Sequence, residues 1–161
     1  LRLQFKEIGQ VFRSLIFWGI APLAAISSGT NLALHGLWIK PWLRDVAGIS
    51  QEASSELLFG MTLALITGFF ILGILTERLS SFCSIDPIKI SVLGMILYMF
   101  LQGVMVFDYK INPFFLVILL GFFGSSSILV YAGYAIKFPK NISGRVSTML
   151  NFLVFFGNNF S

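Results

Sequence analysis

The hydrophobic residues of this chain occur in long uninterrupted runs, which short polar segments separate. A helix needs about 20 apolar residues to cross about 30 Å of hydrocarbon, and we take four runs as long enough, with a fifth that continues to residue 161. Because each run is continuously apolar and not alternating, the pattern favours helices over the strands of a membrane β-barrel. The predicted fold class is all-α, a polytopic transmembrane helix bundle of four full spans and a partial fifth, at residues 14–39, 57–76, 88–107, 112–136 and 144–161.

The composition of the chain makes a lipid bilayer its expected surroundings. The chain is 57% hydrophobic and only 11% charged, whereas soluble domains carry about 25% charged residues. The net charge of +4 is too small and too dispersed to predict a nucleic-acid partner. The single cysteine, Cys83, and the single histidine, His35, exclude a cysteine cluster and a histidine-pair metal site. Since no carboxylate lies in the middle of a span, we expect no enzyme activity, no metal and no cofactor.

The basic residues predict an orientation for the bundle. Segments before the first span, between the second and third, and after the fourth hold eight of the eleven basic residues, namely Arg2, Lys6, Arg13, Arg78, Lys89, Lys137, Lys140 and Arg145. The positive-inside rule places these segments, and therefore residue 1, on the cytoplasmic side of the cytoplasmic (inner) membrane, which the chain crosses several times. Residues 1–13 are amphipathic, which fits either a linker helix on the cytoplasmic surface or a helical extension of the first span.

Three segments resemble the major facilitator superfamily of secondary transporters. Gly73 with Glu77 and Arg78 resembles the cytoplasmic loop motif of that superfamily. The segment 36–50 (GLWIKPWLRDVAGIS) resembles the loop after span seven in a bacterial branch related to sugar-phosphate permeases, and 138–151 resembles the turn between spans ten and eleven. The resemblance implies the C-terminal half of such a transporter, spans seven to eleven, and we expect the N-terminal half of the same protein to be missing from this fragment.

The function that this resemblance implies is secondary active transport of a small organic solute by alternating access. Two alternatives stay open, a transporter-like solute sensor and an inactive truncated carrier. Organophosphate carriers of the superfamily hold phosphate with a basic residue in span seven. Residues 14–39 contain none, which weighs against a phosphate ester unless the other half supplies the charge.

Polar residues inside apolar spans are costly and therefore mark candidate substrate-path positions. Ser27, Thr30 and Asn31 lie on one side of the first span with Trp38 nearly in line, although hydrogen bonding between helices is an equal alternative. A second polar stripe runs from Ser147 to Ser161 in the fifth span, with the same alternative. The candidate substrate-path residues are Ser27, Asn31, Trp38, Tyr131, Asn151 and Asn158.

The remaining candidates concern proton coupling and gating. His35 could carry a proton, but its place near the outer end of the span favours a packing or solvated role. Gly73, Glu77, Arg78 and Arg145 are gating elements by the resemblance, with simple surface solvation as the alternative. We interpret the serines at 125–127 as structural, because small and polar residues support close helix packing. Gln102 is structural by the resemblance, which makes the third span peripheral.

Overall fold

The computed structural model describes residues 15–107, 111–130 and the single residue 148, and within them it contains helices and no strand. The first helical stretch is continuous but changes type twice. The elements in chain order are α1 (Leu15–Ala33), a π-helical segment (Leu34–Trp38), α2 (Ile39–Asp45), α3 (Gln51–Cys83), α4 (Pro87–Val106) and α5 (Pro113–Gly124). After a turn at Ser125 the chain is helical again over residues 126–130.

Three helices in the described part of the chain are long and apolar enough to cross a membrane. They are α3, α4, and α5 together with its continuation to Val130. This agrees with the predicted class of membrane protein and with an all-helical fold. The first predicted span coincides with α1 and the π-helical segment, which are not among these three helices, so its crossing of a membrane stays a prediction. The fifth span and the amphipathic segment 1–13 lie outside the described residues.

The starts of the three long helices are fixed by polar N-cap residues. Ser50 accepts a hydrogen bond from the backbone N–H of Ala53 at the start of α3. Asp86 and Asn112 do the same for α4 and α5, and in each case a proline follows as the first helical residue. A proline at that position loses nothing, because its missing N–H would have had no partner inside the helix. Because these capped starts follow soon after the preceding helix ends, the connections between α3, α4 and α5 are short. Short connections favour antiparallel packing of consecutive helices.

Helix α5 lies at the centre of the described bundle and packs most extensively against α3. Glycines make this close approach feasible. A Cβ added at Gly121 would collide with the carbonyl oxygen of Met61, and one added at Gly68 would collide with the carbonyl oxygen of Phe122. Backbones that approach so closely gain dispersion contacts along the whole seam, which is how helices associate where lipid removes the hydrophobic driving force.

The apolar core lies where α2 folds against the ends of α3, α4 and α5. The outward surfaces are also apolar, and Phe59, Phe70 and Phe100 are each about two-thirds exposed. Such an exposed surface fits contact with lipid. The buried core cluster consists of Ile39, Leu43, Met61, Tyr98, Val104, Met105, Leu116, Val117 and Leu120.

Candidate functional site

A group of polar side chains lies inside the bundle where α1, α4 and the end of α5 meet. We call it the polar junction, and define it as Thr30, Asn31, Tyr98, Gln102 and Ser126. Polar groups inside a membrane bundle cost free energy unless they find partners, so they are rare where they have no task.

Helix α4 brings two of these side chains into line. Gly94, Tyr98 and Gln102 recur every four residues and therefore lie on one side of the helix. Tyr98 is fully buried, and its hydroxyl faces the side chains of Gln102 and Thr30. No hydrogen bond of good geometry joins that hydroxyl to either neighbour, and the amide nitrogen Nε2 of Gln102 is also buried without a partner in the described part of the chain. Leaving such a group unsatisfied costs about 1–3 kcal/mol.

The end of α5 closes the junction from the other side. Gly124 has no side chain, and the space that a Cβ would need there is occupied by the side-chain amide of Asn31. The same Cβ would lie 3.6 Å from the ring carbon Cε2 of Tyr98, so Gly124 is the point at which α1 and α4 both reach α5. Ser126 lies against Gly94, and its buried hydroxyl has no hydrogen-bond partner among the residues that the structure describes.

The flanking serines are satisfied locally. The hydroxyl of Ser125 donates to the carbonyl of Phe122 at 2.7 Å, and that of Ser127 donates to the carbonyl of Gly124 at 3.0 Å. Both side chains are buried. The expected packing role suits these two residues, whereas the unpartnered Ser126 belongs with the polar junction.

Two cavities border the junction. The larger of the two, of about 530 Å³, is lined by Thr30 and Gln102 together with Trp38 and Trp42. The second, of about 470 Å³, is lined by Asn31 together with residues of α3 and α5. Both volumes fall in the range of about 300–1,000 Å³ that is typical of small-molecule sites. The consecutive residues Thr30 and Asn31 thus contact different cavities.

The π-helical segment decides which residues line the larger cavity. The N–H of Ile39 bonds to the carbonyl of Leu34, five residues back, and such a turn contains one residue more than an α-helical turn. Pro41 follows the segment closely and cannot donate to the carbonyl of Leu37, four residues before it. The wider turn moves Trp38 out of line with Asn31 and onto the same cavity wall as Thr30.

The structure separates the three substrate-path candidates that it describes in α1 and the π-helical segment. Ser27 is buried, and its carbonyl accepts a hydrogen bond from the hydroxyl of Thr30 at 3.2 Å. Asn31 lines the second cavity, whereas Trp38 lines the larger one with 64% of its surface exposed. The predicted common side of the helix is therefore divided between two cavities. Tyr131, Asn151 and Asn158 lie outside the described residues.

None of the described candidates for proton coupling and gating belongs to the polar junction. His35 is in the π-helical segment, and its ring nitrogen Nε2 is buried with no hydrogen-bond partner within residues 15–107 and 111–130. Gly73 faces the side chain of Leu129 across the α3–α5 seam. Glu77 and Arg78 are exposed near the end of α3. Arg145 lies outside the described residues.

Sequence reasoning missed Tyr98 as a site residue, and it interpreted Gln102 and Ser126 as structural. The signal that could have found the first two was the four-residue spacing of Gly94, Tyr98 and Gln102 in an otherwise apolar span. Nothing in the sequence distinguishes Ser126 from its two serine neighbours, because only the packing against Gly94 separates their environments.

The chemistry of the junction is that of hydrogen bonding without a fixed charge. It offers hydroxyl and amide groups that can donate to or accept from a solute. Within residues 15–107 and 111–130, no group of three or more His, Cys, Asp or Glu side chains could hold a metal ion. The arrangement suits reversible binding of an organic molecule and offers no nucleophile paired with a base.

Comparison of the chain with protein-family models, with curated proteins and with solved structures gives no match. The class of protein is therefore defined by the fold and the site alone. It is an all-helical protein with helices that can span a membrane, and its interior contains a polar junction between two cavities.

Proposed function

We propose that this chain belongs to a secondary active transporter that moves a small organic solute across the cytoplasmic membrane by alternating access, as members of the major facilitator superfamily do. The observation that carries the proposal is the polar junction, whose hydrogen-bonding groups lie between two cavities inside an apolar bundle. A carrier needs such groups, because its solute must exchange water for protein partners on the way across.

The unsatisfied groups support a binding role over a purely structural one. Polar groups that only join helices would be expected to bond one another with good geometry. Among the described residues, the buried polar atoms of Tyr98, Gln102 and Ser126 make no such bond, although the Tyr98 hydroxyl faces Gln102 and Thr30. A solute that bonds to these atoms would recover part of their desolvation cost. Binding there would therefore favour the conformation in which the junction closes on the solute.

The ends of the bundle fit the same proposal. Glu77 and Arg78 are exposed at one end of α3, where the proposed motif would contact neighbouring helix ends during the conformational change. The π-helical segment directly follows the C-terminal end of α1. Such segments are often found at functional positions, since their weaker hydrogen-bonding geometry lets a helix change its local winding.

The proposal is tested by flux through the intact protein reconstituted in liposomes, against a panel of radiolabelled organic solutes with and without a proton gradient. Thr30→Val removes a hydroxyl from the wall of the larger cavity and keeps the side-chain shape. Thr62→Val is the matched control, because both threonines bond to the carbonyl four residues back and Thr62 is exposed on α3. We expect Thr30→Val to lower the initial rate by about tenfold and Thr62→Val to leave it unchanged.

The outcomes of this experiment distinguish a carrier from a sensor and test the role of Thr30 separately. Absence of flux for every solute would contradict the carrier proposal. Saturable binding without flux would replace it with the solute sensor. Equal flux for the two threonine variants would remove Thr30 from the path while leaving the transport function in place.

A further inference from the structure

The larger cavity has an aromatic and acidic wall that the polar junction does not explain. Trp38, Trp42 and Asp45 all line it, and they follow one another at intervals of four and three residues. That spacing places them along one face from the π-helical segment to the end of α2. Asp45 is exposed and is the one ionisable side chain among the described residues that line the cavity.

The rest of the wall is apolar. Leu34, Met105 and Val106 contribute to it, and Thr30 and Gln102 add uncharged polar groups. A solute that fills this space therefore needs an apolar body of moderate size. A bare metal ion would leave most of the wall without a contact.

We propose that the larger cavity binds an amphiphilic organic cation, with its charged group near Asp45 and the two indole rings and its apolar body against Met105 and Val106. Charge complementarity carries the assignment. Indole rings attract cations through the negative potential over their faces, and the carboxylate supplies an opposite charge at the wall of the same cavity.

The neighbouring basic residues do not cancel this charge pattern. Lys40 and Arg44 belong to the same helix, but neither lines the cavity. Arg44 precedes Asp45 directly, and consecutive helical residues point about 100° apart. The cavity wall is therefore acidic and aromatic, although the helix as a whole has both signs of charge.

The test is binding of radiolabelled tetraphenylphosphonium to the intact protein in maltoside micelles, measured by equilibrium dialysis with empty micelles subtracted. Tetraphenylborate, which has nearly the same shape and the opposite charge, is the matched ligand. No gradient and no flux are needed, so the result is independent of whether the protein transports. We expect saturable binding of the cation and no saturable binding of the anion.

Two pairs of variants locate the site. Asp45→Asn keeps the size of an exposed side chain and removes its charge, and Glu56→Gln is its control on the exposed surface of α3. Trp38→Ala removes a lining ring that is 64% exposed, and Trp18→Ala removes a ring that is 50% exposed and does not line the cavity. We expect Asp45→Asn and Trp38→Ala each to raise the Kd for the cation by at least about fivefold, and the controls to leave it within about twofold.

Three results would overturn the inference. The first is no saturable binding of the cation to the intact protein. The second is equal affinity for the cation and the anion, which would reduce the cavity to an apolar space. The third is an unchanged Kd in both Asp45→Asn and Trp38→Ala, which would move any cation site elsewhere. Elution of each variant as a single species in size-exclusion chromatography shows that it is folded.

Discussion

The seam between α3 and α5 depends on Gly121 having no side chain, and Gly121→Ala tests that dependence. The new Cβ would collide with the carbonyl oxygen of Met61 and would lie 3.1 Å from both the carbonyl carbon and the Cγ of that residue. Because two of these three atoms are backbone, no change of rotamer can remove the overlap. The two helices must therefore separate along the part of the bundle where α5 is most buried.

The size of the effect follows from two opposing contributions. Overpacking a close-packed interior costs about 1–3 kcal/mol, and a clash with backbone belongs at the upper end of that range. Alanine returns at most about 1 kcal/mol through its better helix propensity. We therefore expect Gly121→Ala to lower the free energy of unfolding by about 2 kcal/mol.

The control substitution is Gly103→Ala in α4, where nothing lies within 4 Å of the added Cβ. It should be neutral or stabilising by up to about 1 kcal/mol. The assay is equilibrium unfolding of both variants in mixed micelles of maltoside and dodecyl sulfate, followed by circular dichroism. Equal unfolding midpoints for Gly121→Ala and Gly103→Ala would refute the close approach of α3 and α5.

Three further predictions address backbone strain, topology and the polar junction. Ser84 follows the end of α3 in a left-handed conformation, with a φ of 53°. Because glycine adopts that conformation without strain, Ser84→Gly should raise the free energy of unfolding by about 0.5–1 kcal/mol in the same assay. Destabilisation would contradict the left-handed conformation. Cys83 is exposed at the end of α3, which is predicted to be cytoplasmic. A membrane-impermeant maleimide should therefore label Cys83 in inside-out vesicles and not in right-side-out vesicles. The reverse pattern would invert the predicted orientation. Gly124→Ala should displace the side chain of Asn31 and lower solute flux by at least about tenfold. The control Gly19→Ala, with open space around its added Cβ, should leave the flux unchanged. Equal flux through the two variants would remove Asn31 from the site.

The helical class could be predicted from the sequence because it depends on the length and continuity of apolar runs. Those quantities are local, and lipid requires every backbone group to be bonded within its own segment. The helix ends were harder to predict. Helix α3 begins at Gln51, six residues before the predicted span begins at 57, because Ser50 provides a cap that the hydropathy of the run does not register.

The members of the polar junction could be predicted only in part, since burial depends on which helices meet. Asn31 is conspicuous in an apolar run, and sequence reasoning selected it. Gln102 is equally conspicuous, and its four-residue spacing from Tyr98 places both on one side of α4, but the junction also needs Thr30, which faces the Tyr98 hydroxyl from α1. That contact is a property of the packing of α1 against α4, to which no pattern within a single helix points.

The division of the predicted polar side of the first span has a definite geometric cause. At about 100° per residue, Trp38 would lie about 20° from the line of Asn31 and about 80° from that of Thr30 in a regular α-helix. One additional residue in the π-helical turn rotates everything after it by about 100°, which brings Trp38 to within about 20° of Thr30 and takes it away from Asn31. The observed lining of the two cavities agrees with this rotation. The additional residue of the π-helical turn thereby places the tryptophans with Thr30 and Asp45, and it gives the larger cavity the aromatic and acidic wall on which cation binding would depend.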